Sequence, residues 1–304
     1  MSGDGAIDLI AGNTREDDHG SPRGGALYEL VRAPSGSFEP PRLLAPLAVG
    51  AVHPATLDDS PGTDLAVLRL EEARLARGSE VLLLRGGPAP VKIRALSAGV
   101  GTDRLAVADF DLDGRSDLLL AVSGRGPELV LLDPTGQARE RTPLATPPVN
   151  ALRTGDLNGD GHADALLAGD EPSALLANAA RDWTVRPLPA LSGLGEVQLL
   201  DWNADGKLDV VGVLEHALVA FIQTGALAFE AQRITAWPDA ALRLRLALPR
   251  QTIGGSAGVV LIASPVQARG RADLVMAEAI PSDASLAGPE PLPDAPLSQR
   301  FSLP

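Results

Sequence analysis

Three observations predict an all-β chain, and within that class a β-propeller of four-stranded blades. An acidic loop, written DFDLDGRSD, DLNGDGHAD and DWNADGKLD, recurs from Asp109, Asp156 and Asp201 at spacings of 47 and 45 residues. Short apolar stretches stand before and after each copy. Glycine and proline, 32 and 26 of the 304 residues, interrupt the sequence too often for long helices. A period in this range marks a solenoid or a propeller, and four short strands per period select the propeller.

The elements follow in order. RLAVA, NALRT and EVQLL precede the three loops, and DLLLAV, DALLAG and DVVGVL follow them, so each loop joins two consecutive strands. A third strand is read at ALYELVR, EVLLLRG, ELVLLD, SALLAN and ALVAFI, and a fourth at VKIRALS, WTVRPLP and FEAQRIT. Weaker copies extend the frame in both directions. TLDDSPGTDLAVLRL keeps Asp64 but has Thr56 and Ser60 where the full loops have aspartates, and RLRLALPRQTIGGSAGVVLIAS keeps two strands and no carboxylate between them. Six units result, near 1–50, 51–98, 99–146, 147–192, 193–238 and 239–280, followed by a proline-rich tail or closing strand at 281–304. The opening MSGDGAIDLIAGN places Ser2, Asp4 and Asp8 at the third, fifth and ninth loop positions and lacks the strand before them. The first unit is therefore expected to be incomplete, as in the latter part of a seven-bladed propeller. A parallel β-helix would need shorter and more uniform coils, and a βαβ solenoid would need helical periodicity, which only ARLAR at 73–77 suggests.

Oxygen-bearing side chains at every second position, with a glycine where the chain must bend, let a tight turn surround one hard cation. The first complete loop offers Asp109, Asp111, Asp113 and Asp117 with a backbone carbonyl at Arg115. The second offers Asp156, Asn158, Asp160 and Asp164 with His162, and the third Asp201, Asn203, Asp205 and Asp209 with Lys207. An all-oxygen set suits Ca2+, whereas zinc favours imidazole or thiolate. An EF-hand begins alike but needs a glutamate at its twelfth position and flanking helices. Here those positions are Leu120, Leu167 and Gly212, inside apolar strands. The plain alternative is an acidic hairpin turn with no metal, since Asp, Asn and Gly favour turns anyway. Three copies in register, each with crowded carboxylates that repel one another unless a cation lies among them, favour calcium. Whether the degenerate loops at 2–8 and 56–64 hold metal stays open.

A strand, a loop of this type and an apolar strand, repeated about every fifty residues, resemble the FG-GAP and VCBS-type repeats of integrin-α-like propellers. The resemblance spans residues 1 to about 264 and is strongest from 104 to 222, although the Phe-Gly and Gly-Ala-Pro motifs that name the family are missing. It implies a propeller with calcium in the loops between the first two strands of a blade, held as a structural ion. It also implies an extracellular, periplasmic or cell-surface setting and a role in adhesion or ligand binding. An ion at about 100 times its dissociation constant would add roughly 2.7 kcal/mol per site to the folded state.

Composition narrows the function classes. A net charge of -13 disfavours nucleic acid, which is bound through clustered Lys and Arg. No cysteine is present, so thiol chemistry and disulfides are excluded. No apolar run reaches the length of a membrane helix, so membrane insertion is not expected, and the first residues do not form a signal peptide. Two lysines, Lys92 and Lys207, leave 24 of the 26 basic residues as arginine, which reads as base-composition bias. His19, His53, His162, His216 and Tyr28 are sparse material for catalysis, and no GxSxG, Walker loop or HExxH occurs. His53 precedes a proline in what reads as a linker. Trp183, Trp202 and Trp237 read as packing residues, Trp202 as a plug at the second loop position, as at Phe110 and Leu157.

The expectation is a non-catalytic, calcium-stabilised binding or scaffold module with a protein or glycan partner. The alternatives are a propeller enzyme such as a polysaccharide lyase or hydrolase, and one piece of a larger multidomain extracellular protein.

Overall fold

The computed structural model describes residues 9–16, 22–31, 37–58, 63–70, 78–86, 91–99, 101–122, 124–177, 183–214, 217–236, 242–247, 258–265 and 273–278. The expected local turn at ARLAR, the tail from 281, His19, His216 and Trp237 lie outside these residues.

Among the described residues there are six antiparallel sheets, four of four strands and two of three, each a meander in which sequence neighbours pair. The first holds β1 (Leu9–Glu16), β2 (Pro22–Leu30) and β3 (Arg42–Ala45). The second holds β4 (Val49–Ala55), β5 (Asp64–Arg69), β6 (Ser79–Arg85) and β7 (Val91–Gly99). The third holds β8 (Thr102–Ala108), β9 (Asp117–Val122), β10 (Glu128–Leu132) and β11 (Ala138–Pro143). The fourth holds β12 (Ala151–Gly155), β13 (Asp164–Ala168), β14 (Ser173–Ala177) and β15 (Trp183–Pro187). The fifth holds β16 (Leu194–Leu200), β17 (Asp209–Leu214), β18 (Ala217–Gly225) and β19 (Ala228–Ala236). The sixth holds β20 (Leu242–Ala247), β21 (Gly258–Pro265) and β22 (Asp273–Glu278). The chain divides into two compact units, Met1–Thr154 with Ala177–Val185, and Gly155–Leu176 with Arg186–Pro304.

In the first unit the core lies between stacked sheets, and the two-residue period of a strand explains its composition. On β5 and β6, Leu65, Val67, Leu82 and Leu84 pack with Leu27 and Leu47 of the first repeat. The alternate residues Ala66, Leu68, Val81 and Leu83 pack on the other side against Leu105, Leu118, Leu120, Val130 and Leu132. A middle strand covered on both faces needs apolar residues at successive positions, which is why these strands read as unbroken runs such as VLLL. β11 is largely exposed and carries Arg139, Glu140 and Arg141, charges that keep an open edge from pairing with another chain.

Arginine also ties the second and third sheets together through backbone carbonyls. Arg94 donates to the Thr135 carbonyl at 3.3 Å, Arg141 to that of Ser97 at 2.6 Å, and Arg115 to that of Leu57 at 2.7 Å. The linker reading of His53 is corrected: the residue is half-buried within β4, opposite Ala66 of β5. A proline directly after it is tolerated there because β4 is the first, edge strand of its sheet.

In the second unit, β17 pairs with β18 from Val210 opposite Phe221 to Leu214 opposite Ala217. Gly212 lies where an added Cβ would come within 2.7 Å of Leu194, so β17 approaches β16 through a missing side chain. No helix among the described residues is long and apolar enough to cross a membrane.

Candidate metal centre

The three acidic loops join β8 to β9, β12 to β13 and β16 to β17, and their backbones are held by their own side chains. Position one accepts amides from positions five and six. Asp109 takes those of Asp113 at 3.1 Å and Gly114 at 2.8 Å, Asp156 those of Asp160 at 3.1 Å and Gly161 at 2.8 Å, and Asp201 those of Asp205 at 3.0 Å and Gly206 at 2.9 Å. Position three, Asp111, Asn158 or Asn203, accepts the amide of position five at 3.2, 2.9 and 3.1 Å. Position five, Asp113, Asp160 or Asp205, accepts the amide of position seven, Arg115, His162 or Lys207, each at 2.9 Å.

Two backbone requirements accompany this network. The glycine at position six, Gly114, Gly161 or Gly206, has φ between 84° and 87°. Position four is left-handed as well, at Leu112, Gly159 and Ala204, with φ of 59°, 79° and 60°. The second requirement is invisible in the sequence, because leucine and alanine adopt this region only at a cost of about 1 kcal/mol or more.

Position two points inward. Phe110, Leu157 and Trp202 are buried, as read for Trp202 from the sequence. Trp183, half-buried, donates its indole N–H to the Phe110 carbonyl at 3.3 Å.

Position nine ties the loop backbone to the strands. Asp117, Asp164 and Asp209 are buried, and each accepts the amide of position two, from Phe110 at 3.0 Å, Leu157 at 2.9 Å and Trp202 at 2.9 Å. The other oxygen of Asp117 accepts the amide of Leu132 at 2.8 Å, and that of Asp209 the amide of Gln223 at 2.7 Å, both at the third strand. Asp64, in the degenerate loop, does the same with Leu57 at 2.9 Å and Gly86 at 2.8 Å. This loop also meets its complete neighbour, where the Ser116 amide donates to the Thr56 carbonyl at 2.8 Å and the Thr56 amide to the Ser116 hydroxyl at 2.9 Å. Asp4 and Asp8 of the opening copy lie outside the described residues.

The electrostatics follow from burial and these contacts. Burial pushes the Asp117 carboxyl up to about 7; the Leu132 and Phe110 amides oppose that shift, and the charges of Asp111 and Asp113 add to it. Asp209 is raised for the same leading reason. Exposed Asp205 is held below the usual range chiefly by the Lys207 amide. For Asp160 desolvation works upward, but the His162 amide, the Asn158 side chain and the His162 charge together hold it low.

One cluster brings three carboxylates together. Single oxygens of Asp109, Asp111 and Asp117 lie within 4.8 Å of one another, a spacing and an all-oxygen donor set that fit a hard divalent cation. In the other two loops the corresponding triads are Asp156, Asn158 and Asp164, and Asp201, Asn203 and Asp209, in which an amide oxygen replaces the middle carboxylate. The structure adds a residue that the loop motif does not contain. Arg139 of β11 forms an ion pair with Asp111, which is 1% exposed.

Residues 109–167 and 156–212 match the model of the FG-GAP-like repeat. No curated protein matches the sequence. Among solved structures, the chain is similar to the Dos1 propeller, with a TM-score of 0.51 at 9% identity over 86% of this chain and 67% of that one. This likeness shows the β-propeller fold. A BBS1N chain, from a crystal in complex with ARL6DN soaked with lead, gives a TM-score of 0.49 at 14% identity over 91% and 80%. The V. cholerae biofilm matrix protein Bap1 gives 0.40 at 17% identity over 84% of this chain and 34% of that one.

Proposed function

From FG-GAP-like repeats set on a β-propeller, we propose that this chain is a non-catalytic binding or scaffold module whose three complete loops hold structural calcium. The observation that carries the reading is the convergence of Asp109, Asp111 and Asp117 within 4.8 Å on a loop type that occurs three times. Asp109, Asp111, Asp113 and Asp117 would hold one ion, Asp156, Asn158, Asp160 and Asp164 a second, and Asp201, Asn203, Asp205 and Asp209 a third, with the carbonyls of Arg115, His162 and Lys207. Calcium would neutralise carboxylates that otherwise repel one another, and would fix the hairpin between the first two strands of each blade.

An extracellular, periplasmic or cell-surface setting suits such sites, because abundant calcium there fills loops of only 10⁻⁴ to 10⁻³ M affinity or so. The partner in this reading is a protein or a glycan. The non-catalytic reading draws support from the histidines. His53 is half-buried, its basicity is lowered to about 4 by burial and the Arg153 charge, and His162 sits in a ligand loop. The test is thermal melting in chelator and in calcium. The reading expects a lower Tm in chelator and recovery on adding calcium; an identical Tm after rigorous metal removal would overturn it.

A further inference from the structure

The three complete loops differ at one ligand position, and the difference is matched by a residue from another strand. Position three is Asp111 in the first loop and the neutral amides Asn158 and Asn203 in the others. The first loop thus carries four carboxylates against three, and its extra one is buried beside a guanidinium that reaches over from β11. Asn158 and Asn203 bear no charge and need no such partner. Lys207 and Asp205 also pair, at 3.2 Å in the third loop, but both side chains are substantially exposed and such a pair contributes little.

We propose that Arg139 is the resident counter-cation of the first complete loop, one that a divalent cation has to displace from Asp111, so that this loop binds calcium more weakly than the two loops with asparagine at position three. The inference rests on the calcium reading above. The charge-assisted bond between Arg139 and Asp111 withdraws one ligand oxygen until it is broken, and the fixed positive charge repels the incoming ion at short range. The ion-free loop then has its own charge compensation, and the site fills last as calcium rises.

Calcium titration by isothermal calorimetry, with terbium luminescence as a second readout, tests this. Wild type is expected to show two tighter sites and one weaker by roughly tenfold, the order of a charge-assisted hydrogen bond. Asp113→Ala should remove the weak site, and Asp160→Ala or Asp205→Ala a tight one. Arg139→Gln should turn the weak site into the tightest of the three. The double variant Asp111→Asn, Arg139→Gln reproduces the composition of the other loops and should give three sites of similar affinity. Equal affinities in wild type, or loss of a tight site in Asp113→Ala, overturns the role of Arg139 even if Arg139→Gln fails to fold. Absence of calcium binding in wild type and in Arg139→Gln overturns the calcium reading itself.

Discussion

Asp64 accepts the Leu57 amide at 2.9 Å across seven residues, the same bond that Asp117, Asp164 and Asp209 make to the second position of their loops. Asp64 does so in a loop where Thr56 and Ser60 replace carboxylates of the complete copies. The ninth-position aspartate is therefore a fixture of the strand connection, independent of any bound ion.

That relationship gives a first expectation. Asp64→Ala leaves the buried amide of Leu57 without an acceptor, at about 1–3 kcal/mol, and removes the acceptor of the part-buried Gly86 amide as well. Urea denaturation should show this loss equally in calcium and in chelator. A loss seen only in calcium would assign Asp64 to a metal site instead.

Gly206 should be intolerant of a side chain for reasons of backbone alone. Its φ is 84° and an added Cβ meets nothing within 4 Å, so Gly206→Ala is expected to cost about 1–2 kcal/mol through conformation only. Gly195, in β16, is equally unobstructed and has no left-handed φ, so Gly195→Ala should be close to neutral. Paired denaturation curves of the two variants measure the difference.

His53 should make stability depend on pH in one direction. Burial and the Arg153 charge lower its pKa from 6.5 to about 4, so below 6.5 the unfolded chain binds a proton that the folded one refuses. The contribution is full above 6.5 and is lost as pH falls toward 4. Asp117, raised to about 7, acts with the opposite sign over an overlapping range. The His53 effect is therefore read as the difference between wild type and His53→Gln, whose stability between pH 4 and 6.5 should fall less steeply. Parallel curves would show that His53 titrates normally.

Much of the architecture was legible because propeller blades repeat. A strand, an acidic turn and an apolar strand recur with little variation, and the inner strands are apolar at successive positions because Leu65 and Ala66 face different sheets. The buried plug at Trp202 followed from its alignment with Phe110 and Leu157. Other features were hidden because they depend on contacts distant in sequence. Arg139 lies 28 residues from Asp111, outside any loop pattern. The left-handed backbone at Leu112 and Ala204 contradicts the preference of those residue types. His53 before a proline reads as a linker, yet an edge strand accommodates the pair. The arginine excess has a composition-level explanation, but Arg94, Arg115 and Arg141 each reach a carbonyl of a neighbouring sheet.

Calcium stoichiometry tests the central claim most directly. The metal-free protein, titrated at saturating calcium, should bind three ions per chain, and Asp113→Ala, Asp160→Ala and Asp205→Ala should each bind one fewer. These three side chains are exposed, so their removal should leave the folded core intact. Unchanged stoichiometry in all three variants, or no bound calcium in wild type, would contradict the account.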